Sequence, residues 1–510
     1  MEHLKPSDFS HLPEDIQRSP LFSVDLAPVP PKYRTWTTYN FAALWISMAH
    51  CIPTYMLAGG LIAVGMNWWQ ALLTIGLGNL IVLVPILLNS HPGAKYGIPF
   101  PVFARASFGT SGTNIAAVLR AIVACGWFGI QSYIGGEAIK AFLVVLWPAF
   151  GLLGGDVNVL PGLNVPSAIT FMVFWALNIW IIFKGMNAVR VFENWAAPLV
   201  LVVAVVLLAW VINRAGGFGP MLDQPSKFTT LNEFWPVFVP SLTAMIGFWA
   251  TLSLNIPDFT RYGRGQREQI LGQVLGLPTT MIFFSAMGVM TTSAALVLFP
   301  GTAVSQLWDP VHLVLKILES GMIEGEALRF IVAFLALVSF GIATLSVNIA
   351  ANVVSPANDF ANLAPRHITF KIGGLITGVL GIVIMPWKLL ASPDVYIFNW
   401  LLGYSALLGP IAGIMIVDYW IIRRTHLDVA DLYRPLGRYR GTNPAAVLAL
   451  ILGVAPCVPG FLMDVKLVEG LSPNWSALFK YAWFISFLVA SGSYMLLSAI
   501  FKRPTSADPR

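Results

Sequence analysis

Residues 35–63 read TWTTYNFAALWISMAHCIPTYMLAGGLIA. The stretch exceeds the roughly 20 apolar residues that cross a bilayer, yet Pro53 sits at its middle and Gly59 and Gly60 follow. Proline has no amide hydrogen and its ring collides with the preceding turn, so the peptide oxygens around Ala49 and His50 are expected to lose their helical partners. In hydrocarbon such oxygens survive only when buried in protein or lining a cavity, where they can bind a cation. A plain proline kink is the simpler reading of the same residues, and the rest of the chain has to decide between them.

A second stretch, SLTAMIGFWATLSLNIPDFTRYGR (241–264), places Gly247 beside Phe248 and Trp249 near mid-span and ends at Pro257, with Asp258, Arg261 and Arg264 expected in the cytoplasm. An interrupted first span and a glycine-bearing sixth, in five-helix halves of opposite orientation, point to an inverted-repeat transporter with its site at the breaks. A lone glycine in a span says little; its pairing with the Pro53 break carries the argument.

Composition sets the class. Of 510 residues 57% are hydrophobic and 11% charged, more apolar surface than a water-soluble chain can bury. Twelve spans are expected in an all-α polytopic membrane protein, at 36–60, 69–88, 114–147, 166–184, 195–213, 235–255, 270–298, 328–354, 371–387, 396–422, 444–463 and 476–501. The organisation that follows is a cytoplasmic segment 1–34, a first repeat 35–215, a second repeat 232–422, a cytoplasmic loop 423–443, helices 11 and 12 over 444–501 and a tail 502–510. The broken stretch HPGAKYGIPFPVFARASFGTSGTN (91–114) reads as a structured connection rather than a helix.

The net charge of +6 reports topology rather than a polyanionic partner such as nucleic acid. Lys95, Arg105, Arg190, Arg261, Arg264, Arg366, Arg423 and Arg434 fall on one side of the spans, against few such as Lys227, Lys388 and Lys466 on the other. The positive-inside rule then puts both termini in the cytoplasm. The first 34 residues show no signal-peptide pattern. Cys51, Cys125 and Cys457 all lie in expected spans, which leaves no disulfide or C-x-x-C metal site. The seven histidines are scattered without ligand spacing and no H-E-x-x-H or G-x-S-x-G is present, so no enzyme is expected.

Two further stretches supply side chains for a ligand. In AIVACGWFGIQSYIGGEAIK (121–140), Trp127 and Gln131 are four apart and share one helix face. That face offers an aromatic plane and a primary amide, which suit a planar heterocycle with adjacent C=O and N–H groups. Interhelical packing uses the same residue types. In RFIVAFLALVSFGIATLSVNIAANVVSPANDFANLAP (329–365), the sequence turns small and polar from Ala343, and Asn352 is the second candidate amide. No acidic or basic residue lies near the centre of spans 1, 6 or 8; in span 3, Arg120 lies towards the cytoplasm and Glu137 and Lys140 towards the outside. A charged ligand would be buried without a counter-ion, so the ligand should be neutral.

GWFGIQ (126–131), KYGIPFPVFARASFG (95–109), NIPDFTRYGRGQ (255–266), NIAANVVSPANDFANLAP (348–365) and IVDYWIIRR (416–424) together resemble the nucleobase:cation symporter-1 family, over nearly the whole chain. The resemblance implies a LeuT-like 5+5 inverted repeat plus two C-terminal helices. It further implies secondary active import of a nucleobase, hydantoin or allantoin-type ring, stacked between Trp127 and Trp249 and bonded by Gln131 and Asn352. Phe248 and Cys51 join them as substrate-binding candidates. In sodium-coupled members of the family, the matching ion positions are the carbonyls of Ser47, His50 and Ala343 and the side chains of Ser346 and Val347. Valine has no oxygen, so a weak sodium site is expected, with the proton favoured as coupling ion. His50 is the one imidazole deep in a span and a candidate proton carrier, although its carbonyl is the better-placed group. An uncoupled facilitator of the same substrates is the alternative. No cofactor and no obligate protein partner are implied, and the expected location is the plasma membrane, the inner membrane in a bacterium.

Overall fold

The structure, a computed structural model, describes residues 6–9, 12–184 and 201–501. Its helices are α1 (Thr38–Ala49), α2 (Ile52–Ala63), α3 (Trp68–Tyr96), α4 (Phe100–Phe108), α5 (Thr113–Leu146), α6 (Val165–Lys184), α7 (Leu201–Arg214), α8 (Leu231–Phe248) and α9 (Ala250–Asn255). They continue with α10 (Gln266–Leu298), α11 (Pro310–Glu319), α12 (Glu326–Leu363), α13 (Phe370–Val383), α14 (Val395–Ile422), α15 (Pro444–Asp464), α16 (Pro473–Phe479) and α17 (Ala482–Ile500). A backbone in hydrocarbon must satisfy its own hydrogen bonds, and helices do so within one segment.

Eight of these helices are long and apolar enough to span a membrane, and α1 with α2, bent by 59° at a short break, form a ninth. Twelve spans were expected, and the difference has three sources. The expected span 195–213 begins outside the described residues, and its described part is the short helix α7. The span at 235–255 is divided between α8 and α9, and α13 has only 14 residues. The stretch 91–114 departs from expectation in the other direction. α3 continues to Tyr96 despite Pro85 and Pro92 and stops at Gly97, in the left-handed region at φ 75°. There α4 follows as a nine-residue helix with every residue buried. A small hairpin, β1 (Asn158–Leu160) with β2 (Leu163–Asn164), lies between α5 and α6.

α5 packs against α6, α12 and α13, and α10 lies along α1 and α3. The α1–α10 contact needs a glycine: a Cβ on Gly272 would stand 2.4 Å from Phe41 Cβ and 2.7 Å from the Thr38 carbonyl. Small residues let membrane helices approach backbone to backbone.

Part of the basic end of the molecule is built in rather than solvated. Of the three charged residues expected on the cytoplasmic side after Pro257, Asp258 and Arg261 are 1% and 4% exposed, whereas Arg264 is exposed. Asp258 accepts from the Phe100 amide at 2.9 Å, and Arg261 donates to the Asp25 carbonyl at 2.8 Å. Arg120 and Asp359 form a buried pair at 3.0 Å between α5 and α12, and Arg423 pairs with Asp418 at 2.7 Å. Over this end lies the amino-terminal segment. Ile16, Leu26, Ala27 and Val29 are buried. Ser19 donates to the Tyr433 carbonyl, Tyr433 donates to the Leu26 carbonyl, and Val29 donates to the Gly97 carbonyl.

At the opposite end, Lys140 pairs with Glu137 and donates to Ser167 at 2.8 Å. The amphipathic helix α11 buries Val311, Leu313, Val314, Ile317 and Leu318 and carries His312 at 2.9 Å from Asp309. The negative charge of Asp309, with a hydrogen bond to it, raises the His312 imidazole to about 9.

Candidate functional site

The first break follows the proline chemistry, with one correction. The Cys51 amide turns back to the Ala49 carbonyl at 3.0 Å, and the Thr54 amide bonds the Cys51 carbonyl at 3.0 Å. Those two amides would have closed the helical ladder onto Ser47 and His50. Ser47 and His50 therefore lose their ladder partners, whereas Ala49, expected free, is bonded. Pro53 itself falls in the first turn of α2, where a missing amide hydrogen costs nothing.

The second break is at Trp249, whose φ of −107° and ψ of 11° leave the helical region between α8 and α9. Gly247 is required there by close approach: a Cβ would sit 2.5 Å from the Leu401 carbonyl of α14.

Between the two breaks lies a small cavity. Trp127, Gln131, Cys51, Phe248, Trp249 and Asn352 all line it. These six come from α1/α2, α5, α8/α9 and α12, so the structure brings together every side chain singled out for substrate. None of the lining residues is acidic or basic. Met48, Thr251, Leu252 and Ala351 also contribute; the sequence reading missed them because small and apolar side chains in a span carry no chemical signal apart from packing.

The polar atoms of the wall are unevenly paired. Gln131 is 2% exposed, and its Oε1 has no hydrogen-bond partner, nor has the indole nitrogen of Trp249. Buried polar groups are almost always bonded, and here an unpaired acceptor and an unpaired donor belong to two residues of the cavity wall. Asn352 turns its amide nitrogen to Asn348 Oδ1 at 3.1 Å. Asn348 in turn donates to Ser132, Asn178 and the Phe128 carbonyl. Asn348 is thus interhelical glue, and it orients Asn352. Phe248 meets Trp127 edge-on at 5.3 Å and Trp249 edge-on at 5.0 Å, so it stands in contact with both indoles.

The ion positions divide. Ser346 and Ala343 are buried on α12, which packs against α1, the helix at whose end Ser47 and His50 lie. Val347 lines the cavity and offers only methyl groups. The His50 ring is stacked on Phe284 at 4.4 Å, and it is not among the cavity-lining residues.

Two interrupted spans that meet around an uncharged cavity are the architecture of a membrane transporter rather than of an enzyme. The sequence profile described as "Permease for cytosine/purines, uracil, thiamine, allantoin" matches residues 28–486, and the chain belongs to this permease family. It is 44% identical over 490 residues to the purine-uracil permease NCS1 of Arabidopsis thaliana, covering 95% of this chain and 78% of that one. It is 41% identical over 489 residues to the allantoin permease of Bacillus subtilis (strain 168), covering 95% and 94%. The fold matches that of Mhp1, a nucleobase-cation-symport-1 family transporter solved in a closed conformation with bromovinylhydantoin bound. The TM-score is 0.72 at 23% identity, over 96% of this chain and 98% of that one.

Proposed function

We propose that this permease imports a neutral, planar nitrogen heterocycle of the nucleobase, hydantoin or allantoin type by alternating access. The observation that carries the reading is the meeting of Trp127, Gln131, Trp249 and Asn352 at one uncharged cavity between two helix breaks. The ring stacks between the two indoles. Its C=O and N–H edge is read by Gln131 and Asn352, while Cys51 and Phe248 close the remaining walls. The relatives named for purines, uracil and allantoin and the hydantoin held by Mhp1 support this class, because uracil, allantoin and hydantoin each set a carbonyl next to an N–H.

A cation drives uptake, with the proton favoured over sodium. Ser47, His50, Ala343 and Ser346 would hold a sodium ion, whose charge would draw the broken first span and α12 together. An uncoupled facilitator is the second reading, favoured by the missing oxygen at Val347; counterflow with and without ion gradients separates the two. The protein lies in the plasma membrane with both termini in the cytoplasm. Its repeats span 35–215 and 232–422, followed by two helices over 444–501.

A thermal-shift panel on purified protein tests the substrate class, since a ligand that binds the folded state raises its melting temperature. Uracil, hydantoin or allantoin should stabilise and charged ring analogues should not. Stabilisation by a charged analogue alone overturns the proposal.

A further inference from the structure

We propose that Tyr404 is a positioning residue of the substrate site, which sets the Trp127 indole and ties it to the second helix break. This rests on the reading of Trp127 as a substrate-facing plane. α14 carries Tyr396, Trp400 and Tyr404 at intervals of four, on a segment whose first turns, Val395–Leu401, are wound as a π-helix. Such wider turns recur at functional positions.

The Tyr404 hydroxyl accepts from Trp127 Nε1 at 3.2 Å and donates to the Gly247 carbonyl at 2.7 Å. A phenol has one donor and spare acceptor capacity, so one rotor satisfies both bonds. Its two partners belong to α5 and α8, which both wall the cavity, whereas Tyr404 is buried and outside the lining. Its influence therefore passes through Trp127 and Gly247 rather than through contact with a ligand. Tyr396 makes the parallel contact at the first break, donating to the Pro53 carbonyl at 3.3 Å. Trp400 fills the space between them, its ring 6.2 Å from that of Trp127. Gly126 admits it, since a Cβ there would stand 2.2 Å from Trp400 Cη2.

With no side chain on Gly126 and a full indole on Trp400, the Trp127 ring is held on one side by shape. By holding the indole N–H, Tyr404 fixes the remaining freedom, rotation of the ring about its Cβ–Cγ bond, and registers it to the end of α8. When α8 and α9 move relative to α14, the bond to Gly247 moves with them, and the stacking plane turns with the break.

The test is Tyr404→Phe, which keeps the ring and its contact with Trp400. Binding of uracil and allantoin should weaken three- to tenfold, the usual weight of one hydrogen bond. In a Trp127→Phe background, where the donor is gone, the same change should cause at most a small further loss. A loss of equal size in both backgrounds overturns the positioning role. Protein labelled with 5-fluorotryptophan gives a second readout without ligand. The Trp127 fluorine resonance, assigned by its disappearance in Trp127→Phe, should shift in Tyr404→Phe, and an unshifted resonance overturns the proposal. Unchanged affinity in Trp127→Ala together with a shifted resonance sinks the substrate reading alone, since alanine removes the stacking face. Weakened affinity there with an unshifted resonance sinks the Tyr404 role alone.

Discussion

A carbonyl oxygen buried without a donor costs about 1–3 kcal/mol, and Gln131 carries one, Oε1, in the cavity wall. A ligand N–H removes that cost, which ordinary interhelical glue would already have done. Gln131→Leu should therefore cut uptake of every substrate, through affinity rather than through abundance of the folded protein; normal affinity in the variant would reduce Gln131 to packing. Trp127 and Trp249 contribute differently, through their faces. Stacking a base on an aromatic is worth about 1–3 kcal/mol, so alanine at either position should weaken binding at least severalfold in a direct titration, and unaltered affinity in both variants ends the idea of a stacked ring. These residues were legible in the sequence because an indole and a primary amide at helical spacing are conspicuous in an apolar span. Tyr404 was not: a tyrosine in a span looks the same whether its hydroxyl serves a site or a stray carbonyl, and the partner it serves lies 277 residues away.

At the scale of elements, the two breaks were readable for unequal reasons. Pro53 announces the first chemically, while Gly247 announces the second only through its partner, because the demand comes from the Leu401 carbonyl of a distant helix. The Ala49 carbonyl was misassigned since the broken turn can rewind locally, and Cys51 takes it up. α4 was missed because flanking prolines and glycines obscure a nine-residue helix that is held by burial rather than by its own propensity. The α1–α12 face carries the ion prediction. Val347→Thr replaces a methyl by a hydroxyl with little change in volume and completes the pair with Ser346. Uptake should be independent of sodium in the wild type and gain sodium dependence in the variant. A sodium gradient that already drives wild-type uptake in vesicles clamped for protons refutes this.

For the whole molecule, the two ends differ in how charge is held, and pH separates them. His312 is raised to about 9 by Asp309, above the ordinary imidazole value of about 6.5. A group whose folded value is raised stabilises fully below the unfolded value and loses that contribution as pH climbs through the folded one. Melting temperature should thus fall between about pH 6.5 and pH 9, and His312→Gln should flatten that part of the profile; an unchanged slope removes His312 from the account.

The amino-terminal strap bears on the order in which the molecule is made. Ser19 meets its carbonyl partner on Tyr433 across 414 residues of chain. At the roughly 5–20 residues per second of translation, that partner emerges about 20–80 s later. Val29 and Asp25 can dock on Gly97 and Arg261 once those emerge, but Ser19 and Leu26 wait for Tyr433 while the helices between them insert. Closure of the basic end is then among the last events of biogenesis, and a ribosome that stalls before residue 433 leaves behind a bundle whose opening segment lacks its last anchors.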